Sequence, residues 1–397
     1  MRNINISLLL LFFKSLLSLF LFYWISRGVT PAAYAPYGLA VLFITLITTF
    51  GDIGFSPAVI RTRELSNEKL NTYINVSFLL ALMLSSALYL GSYYFAAKFN
   101  LPEAELYIKI ISAITLVKLP SLIYEARLQR DLRFSSVMAV DFWIYAIIHF
   151  IGHLCLIWLK VPLYYLLCVI FIEELLKLYL YKTLSGVRFE VVINTSYLTE
   201  ELSFSSLVTL NRVAGYFNSQ ADKYLVSSKF GSFDFSGYSR VFQFVNFPMQ
   251  LSGIIMDKFV YPRVCEDIRQ SNSRSDFKGM AVVFMIGLAI FLSLYFLDDL
   301  LFYIFFPGKW AAFQEIYYVA IGLIPIRFVD RYCSVILNAQ GRPYVRTFSQ
   351  IFFAASLFAG FLFLSMDKLI LVAYLLLLSY GLSVLVSILY IGVKLEK

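Results

Sequence analysis

The chain has 397 residues, of which 60% are hydrophobic and 15% charged, with a mean hydropathy of +0.76. A water-soluble domain carries about 25% charged residues, so this composition excludes a cytosolic enzyme and indicates a membrane protein. Four Cys at unrelated spacings and two His provide neither a disulfide framework nor a metal pattern.

A helix crossing the bilayer core needs about 20 apolar residues, because every backbone polar group must be paired inside the segment. Runs of that kind predict twelve spans, at 7–26, 37–60, 72–96, 106–124, 137–158, 161–181, 201–228, 236–262, 279–298, 313–339, 345–365 and 369–392. The first is too long for the apolar core of a signal peptide, contains Lys14 and lacks a small-residue cleavage pattern, so it reads as a retained span. The seventh contains Arg212, Asp222 and Lys223, so hydropathy alone reads it as a loop. The flanking basic loops at 182–190 and 263–278 require an even number of spans between them, and topology therefore makes it a helix.

Charge assigns the sides. With the N-terminus cytoplasmic, the inner segments contain Arg2, Arg61, Arg63, Lys69, Arg127, Arg130, Arg133, Lys182, Arg188, Arg263, Arg269, Arg274, Lys278, Arg342, Arg346, Lys394 and Lys397, 17 in all. The outer loops contain six, Arg27, Lys98, Lys160, Lys229, Lys309 and Lys368. The positive-inside bias holds loop by loop and places both termini in the cytoplasm.

The connector after span 1, ISRGVTPAAYAPYG, is echoed after span 7 by SSKFGSFDFSGYSR. In each a basic residue precedes a Tyr by about ten positions (Arg27 to Tyr37, Lys229 to Tyr238), and the next span ends in Pro57 or Pro262 before a basic loop. The repeat predicts an all-α integral membrane protein of two six-helix bundles, 1–185 and 186–397. Internal repeats of this kind suit alternating access around a central site.

Ten basic residues fall within or at the ends of spans: Lys14, Lys109, Lys118, Lys177, Arg212, Lys223, Arg240, Lys258, Arg327 and Arg331. Charges in lipid are costly, so these should face a bundle interior, a watery cavity or the interface. Snorkelling accounts for Lys109, Lys177 and Lys258 near span ends. On span 7, Asn211, Asn218 and Asp222 share one face, and Arg212, Ser219 and Lys223 the adjoining one. Span 8 continues with Arg240, Gln243, Asn246, Gln250 and Asp257, and span 2 offers Thr45, Thr48, Thr49 and Asp52. A cavity lined by spans 1, 2, 7 and 8 would serve them all. Arg212 and Arg240 have too few acids nearby in sequence and are assigned to an anionic substrate. Arg327, Asp330 and Arg331 are spaced for local pairing. Asp52, in GDIG, suits a helix cap or a proton-coupling group equally. Asp141 opens span 5, where the helix dipole favours a carboxylate. No acid or Cys nearby in the sequence completes a ligand set for His149 and His153, which read as packing residues.

A P-loop, a dinucleotide fingerprint and a nucleophile elbow are all missing from the sequence, so no enzyme activity, metal or cofactor is expected. The net charge of +8 reads as topology plus contact with anionic membrane lipids, not with nucleic acid.

Particular stretches carry a resemblance. TPAAYAPYGLA, FGDIGFSPAVIRTRELSNEKLN, EARLQRDLRF, SQADKYLVSSKFGSFDFSGYSR, FPMQLSGIIMDKFVYPRV and NAQGRPYV resemble the polysaccharide-exporter branch of the multidrug/oligosaccharidyl-lipid/polysaccharide (MOP, MATE-like) flippase superfamily. The likeness is to the bacterial Wzx-type flippases and runs over essentially the whole chain; GDIGFSPAVIR and EARLQRDLRF are its most specific parts. The resemblance implies a flippase of the inner membrane that moves undecaprenyl-diphosphate-linked oligosaccharide from the cytoplasmic to the periplasmic leaflet, for O-antigen, lipopolysaccharide, capsule or exopolysaccharide assembly. It implies ion-gradient coupling, a cationic cavity, and a polysaccharide polymerase and chain-length regulator as partners. Carried onto this sequence by the matching stretches, the candidates are Arg212, Asp222, Lys223 and Arg240, with Asp52; the polar residues read within the spans add Asn211, Gln243 and Lys14 to the cavity, and Asp52 and Asp222 are the ion-coupling candidates. Some relatives have fourteen spans where this chain offers twelve. A drug or cation antiporter of the same fold would want a more acidic cavity. A polytopic ligase or glycosyltransferase would want large outer loops.

Overall fold

The chain forms α-helices joined by short turns. The computed structural model describes residues 2–62, 65–256, 260–261, 264, 275–340 and 342–395. Arg63, Asp257, Lys258, Pro262, Arg263, Arg269, Arg274 and Lys397, and the side chains of Arg2, Asn211 and Lys394, lie outside the described residues. Two compact units emerge, Met1–Val213 and Ala214–Lys397.

In the first unit α1 (Arg2–Gly28) and α2 (Pro31–Gly51) meet at a two-residue turn. Pro31 begins α2, where its missing N–H is no loss. The expected span 37–60 is two helices: the chain turns sharply after Gly51 and restarts as α3 (Phe55–Arg61), so Pro57 lies inside α3. The turn uses left-handed backbone at Ile53 (φ 41) and Gly54 (φ 72), which GDIG makes affordable at its second glycine. Gly51 lets Leu119 pack close to the backbone: a Cβ there would meet Leu119 Cδ1 at 2.4 Å and displace that side chain. Next come α4 (Asn67–Lys98), capped by Ser66 accepting from Lys69 N at 3.1 Å, and α5 (Ala104–Arg130). A continuous helical segment follows, α6 (Phe134–Ile144), a π-helical turn (Tyr145–Phe150) and α7 (Ile151–Trp158), and then α8 (Tyr164–Ser185). Phe55, Val59, Tyr73, Ile123, Tyr124, Leu128 and Tyr181 share one buried cluster.

The two most specific sequence stretches lock together. Arg130, from EARLQRDLRF, donates to the carbonyls of Val59 and Thr62 at the end of α3, which GDIGFSPAVIR builds. Arg133 donates to Leu184 O at 2.7 Å, at the end of α8. Cationic side chains satisfy orphan carbonyls at helix C-termini in this way.

From α8 the chain continues as an extended linker, 186–194, laid along α4. Asn71 Nδ2 donates to Arg188 O at 3.0 Å while its Oδ1 accepts from Glu190 N at 3.1 Å. Asn75 Nδ2 donates to Glu190 O (2.8 Å) and Val192 O (3.0 Å). The stretch that hydropathy reads as a loop is α9, one helix from Thr195 to Lys229, as topology requires.

The second unit contains the end of α9, then α10 (Ser232–Ile255), α11 (Ser275–Phe296), the short α12 (Asp298–Phe305), a 3-10 turn (Gly308–Phe313), α13 (Gln314–Ala339), α14 (Pro343–Phe363) and α15 (Leu369–Leu395). The most enclosed of these is α13, packed against α10, α11, α14 and α15, with Tyr317, Ile321, Ile324, Cys333 and Ile336 fully buried. The repeat seen in the sequence has a structural counterpart: Tyr37 and Tyr238 are each the seventh residue of the helix after the connector, and both are buried.

Among the described residues, twelve helical segments have 21 residues or more, counting 134–158 as one. Eight of them are long and apolar enough to cross a membrane. The other four, α8, α9, α10 and α13, fall in predicted spans and carry the polar groups discussed below. The outward surface is apolar, with Leu90 81% and Phe363 86% exposed. Lipid covers such side chains without penalty and water does not. This is a multi-pass membrane protein.

Candidate functional site

In the first unit Asp52 and Arg212 come together. Arg212 Nη1 donates to Asp52 Oδ2 in an ion pair, with the Asp52 side chain 2% and the Arg212 side chain 40% exposed. The other oxygen, Oδ1, accepts from Ser56 N at 3.0 Å and Ser56 Oγ at 2.5 Å and so caps α3. Two expectations change. Arg212 has an acid partner, supplied by tertiary structure rather than by neighbours in sequence, and Asp52 is both cap and counter-ion. The hydroxyls of Thr45, Thr48 and Thr49 each donate back to a carbonyl of their own helix, at 2.9, 2.9 and 2.8 Å. Lys14 stands over the Tyr145 ring, 5.2 Å from its centroid.

In the second unit the wedge on α9 closes around a small polar cavity. It is lined by Asn218, Ser219, Asp222, Lys223, Phe242, Asn246, Arg327, Leu376 and Tyr380. Arg327 Nη1 donates to Asn246 Oδ1 at 2.6 Å, and its guanidinium stands 5.2 Å from the Tyr380 ring centroid. Lys223 Nζ donates to Gln220 Oε1 at 2.8 Å. Tyr238 OH donates to Asp222 Oδ2 at 2.9 Å, and both residues are buried. Two cations and one carboxylate line the cavity, a balance of +1. Its volume is about 10 Å³, room for about one water.

Arg240 does not line this cavity. It is 1% exposed, donates to Gln243 Oε1 at 3.0 Å and lies 6.0 Å from the Trp310 ring centroid. It is a packing residue of α10. The local pairing expected of Arg327, Asp330 and Arg331 also gives way. Asp330 forms a two-pronged pair with Arg346, Nη1–Oδ1 2.5 Å and Nη2–Oδ2 2.8 Å. Arg346 lies on α14, inside the helix and not in an inner loop.

Sequence reasoning missed a second polar cluster, on α5 to α8. Glu173 lies 2.7 Å from His149 Nδ1 and 2.7 Å from Lys177 Nζ, and Glu174 2.6 Å from Lys118 Nζ. Lys177 is thus a buried ion-pair member rather than a snorkelling side chain, and His149 does have an acid. Asp141 sits seven residues inside its helix, accepts from Tyr181 OH at 2.9 Å and lies 3.7 Å from Lys177; it is no helix-start carboxylate. Lys109 pairs with Glu105 at 2.6 Å. The signal in the sequence is the i,i+4 pair of EELLK, two acids inside a span four and three residues before a lysine. No group of His, Cys, Asp and Glu suited to a metal ion occurs among the described residues.

Three solved structures share this fold over nearly all of both chains. The lipid II flippase MurJ, in an inward closed conformation, superposes with a TM-score of 0.77 at 14% identity, covering 97% of this chain and 87% of that one. An inward-facing multidrug resistance MATE family transporter of the MOP superfamily gives 0.73 at 13%, covering 96% and 94%. A MOP superfamily transporter from Pyrococcus furiosus, described as having a binding pocket of reverse polarity, gives 0.61 at 13%, covering 100% and 94%. No curated protein matches the sequence. The helical order, the duplicated connectors and these superpositions establish a MATE-like, all-α membrane fold. The polysaccharide biosynthesis protein family matches residues 25–315, which include Asp52, Arg212 and most of the cavity wall, and the chain belongs to that family.

Proposed function

We propose that the protein is a flippase for undecaprenyl-diphosphate-linked oligosaccharide, carrying it from the cytoplasmic to the periplasmic leaflet of the inner membrane by alternating access. The observation that carries the reading is the pair Lys223 and Arg327 with Asn218 and Asn246 around one cavity, on three helices of a membrane-embedded unit. Guanidinium and ammonium groups suit diphosphate oxygens, and amides suit sugar hydroxyls. Membership of a polysaccharide biosynthesis family and a fold shared with a lipid II flippase support it. Arg212, Gln243, Asn211 and Lys14 belong to the proposal as residues governing the cationic path, Arg240 as the residue that packs α10 beside it, and Asp52 and Asp222 as ion-coupling groups. A polysaccharide polymerase and a chain-length regulator are its proposed partners. Each half, 1–185 and 186–397, is proposed to move as one bundle.

The test is reconstitution in proteoliposomes with a fluorescent undecaprenyl-diphosphate-linked oligosaccharide. Leaflet exchange that depends on the protein and falls at least tenfold in Lys223→Gln/Arg327→Gln is expected. Exchange at the protein-free rate overturns the reading. Asp222 in the same wall favours the second reading, a multidrug or cation antiporter, which predicts protein-dependent efflux of ethidium instead.

A further inference from the structure

The first unit holds a larger cavity, about 490 Å³, where α5 and α8 begin. Small-molecule sites have volumes of this order. By the sidedness assigned from charge, this is the outer end of the bundle. The polar lining is Glu103, Glu105 and Lys109, and the walls include Leu106, Tyr107 and Tyr164. Tyr107 is buried and meets the Tyr164 ring edge-on, 6.3 Å between centroids. Lys109 Nζ donates to Glu105 Oε1 at 2.6 Å, back toward the start of α5, and stands 5.7 Å from the ring centroid of Tyr89 on α4. Glu103 is exposed, immediately precedes α5 and does not cap it. Among the described residues no cation pairs with it. Lys98 and Lys160, the bases of the adjoining loops, are not part of the lining. Two carboxylates and one ammonium leave the cavity one negative charge in excess.

The order of these groups along α5 says more than their sum. Outermost is the carboxylate of Glu103. Next comes the Lys109–Glu105 pair, in which the lysine reaches back across one helical turn, about 6 Å of rise. Deeper still the surface is apolar: Leu82, two turns inward from Tyr89 on the same face of α4, is 48% exposed. Carboxylate, ammonium and apolar surface thus follow one another from outside to inside. A phospholipid of the outer leaflet whose head group ends in a primary amine presents the complementary series: ammonium, phosphate, acyl chains. We propose that this cavity seats the head group of such an aminophospholipid. The lipid ammonium, with three N–H donors and no acceptor, meets Glu103. The phosphate meets Lys109, whose remaining N–H groups supply a charge-assisted bond. Tyr107 and Tyr164 form the wall at head-group level, where tyrosine rings suit the change from water to lipid. A phosphate lipid that ends in hydroxyls satisfies Lys109 equally well and leaves the Glu103 charge without a partner, so selectivity between the two head groups resides in Glu103.

Native mass spectrometry tests this on the full chain released from mixed micelles. The micelles hold equal amounts of phosphatidylethanolamine and phosphatidylglycerol with the same acyl chains. The parent is expected to retain phosphatidylethanolamine about fivefold over phosphatidylglycerol. N-acetylated phosphatidylethanolamine keeps the phosphate and lacks the ammonium charge, and should lose that advantage. Glu103→Gln should bring the two lipids to equal retention, and Lys109→Gln should lower retention of both about threefold or more. Equal retention by the parent, a preference that survives Glu103→Gln, or undiminished retention in Lys109→Gln would each overturn the proposal. Displacement of the bound lipid by an equal concentration of glucosamine would make a sugar amine the occupant and overturn it as well. The N-acetylated lipid is compared on the parent chain, so that arm decides even if a variant fails to fold. No measurement here uses a lipid-linked oligosaccharide, and the result stands apart from the flippase reading.

Discussion

Asp52 and Arg212 stand 160 positions apart and join the turn after α2 to the long helix α9 through one ion pair. The carboxylate also caps α3 through Ser56. Substitutions can separate these duties. Asp52→Asn keeps an oxygen for Ser56 N and loses the charge, whereas Asp52→Ala loses both and should cost about 1 kcal/mol more, the value of a cap. Thermal unfolding in detergent measures the difference, and equal melting points for the two variants would refute the cap.

Arg212→Ala is expected to abolish complementation of a flippase-deficient strain while the protein still inserts in the membrane. Asp52→Asn/Arg212→Gln should be no worse than either single change, since partners in one interaction are not additive. Full complementation by Arg212→Ala would remove it from the substrate path.

Arg240 and Lys223, grouped together by sequence, should separate in experiment. Lys223→Gln should lower transport at least tenfold with unchanged melting. Arg240→Ala should lower the melting temperature, because it empties a packed site beside Trp310. Arg240→Met, which restores bulk without charge, should recover most activity. Inactive but fully stable Arg240→Met protein would return Arg240 to the cavity.

The Asp330–Arg346 pair is buried, with side chains 10% and 14% exposed. Arg346→Ala leaves a lone carboxylate and should destabilise by about 3–5 kcal/mol. Asp330→Leu/Arg346→Met removes both charges and should cost much less. Equal losses in the single and double variants would show that the pair is not coupled.

A reporter fused after Ser232, at the start of α10, should read periplasmic. A cytoplasmic reading would reverse the orientation assigned from charge.

Composition and spacing showed where the helices lie, because apolar run length is a local property. They even required α9 to be a helix against its own hydropathy, since basic loops on one side impose an even count. Partners were less legible. Asp52 for Arg212, Arg346 for Asp330 and Glu173 for His149 come from other helices, and no spacing within one helix points to them. Arg130 and Arg133 were counted as topology markers, and they also hold helix ends. A positive-inside residue can serve both ends at once, and charge counting sees one of them.

The linker along α4 meets a constraint of lengths. Four residues of helix rise about 6 Å, and two residues of extended chain advance about 6.6 Å. Asn71 and Asn75 can therefore address Arg188–Glu190 and Glu190–Val192 in step. The two repeats are nearly commensurate but not equal, and the mismatch grows with each further step. The structure stops after two: Asn194 has already doubled back, its N–H donating to Thr72 and its side chain to Glu68. The linker is thus held in register over one short stretch, and α9 begins where that register ends.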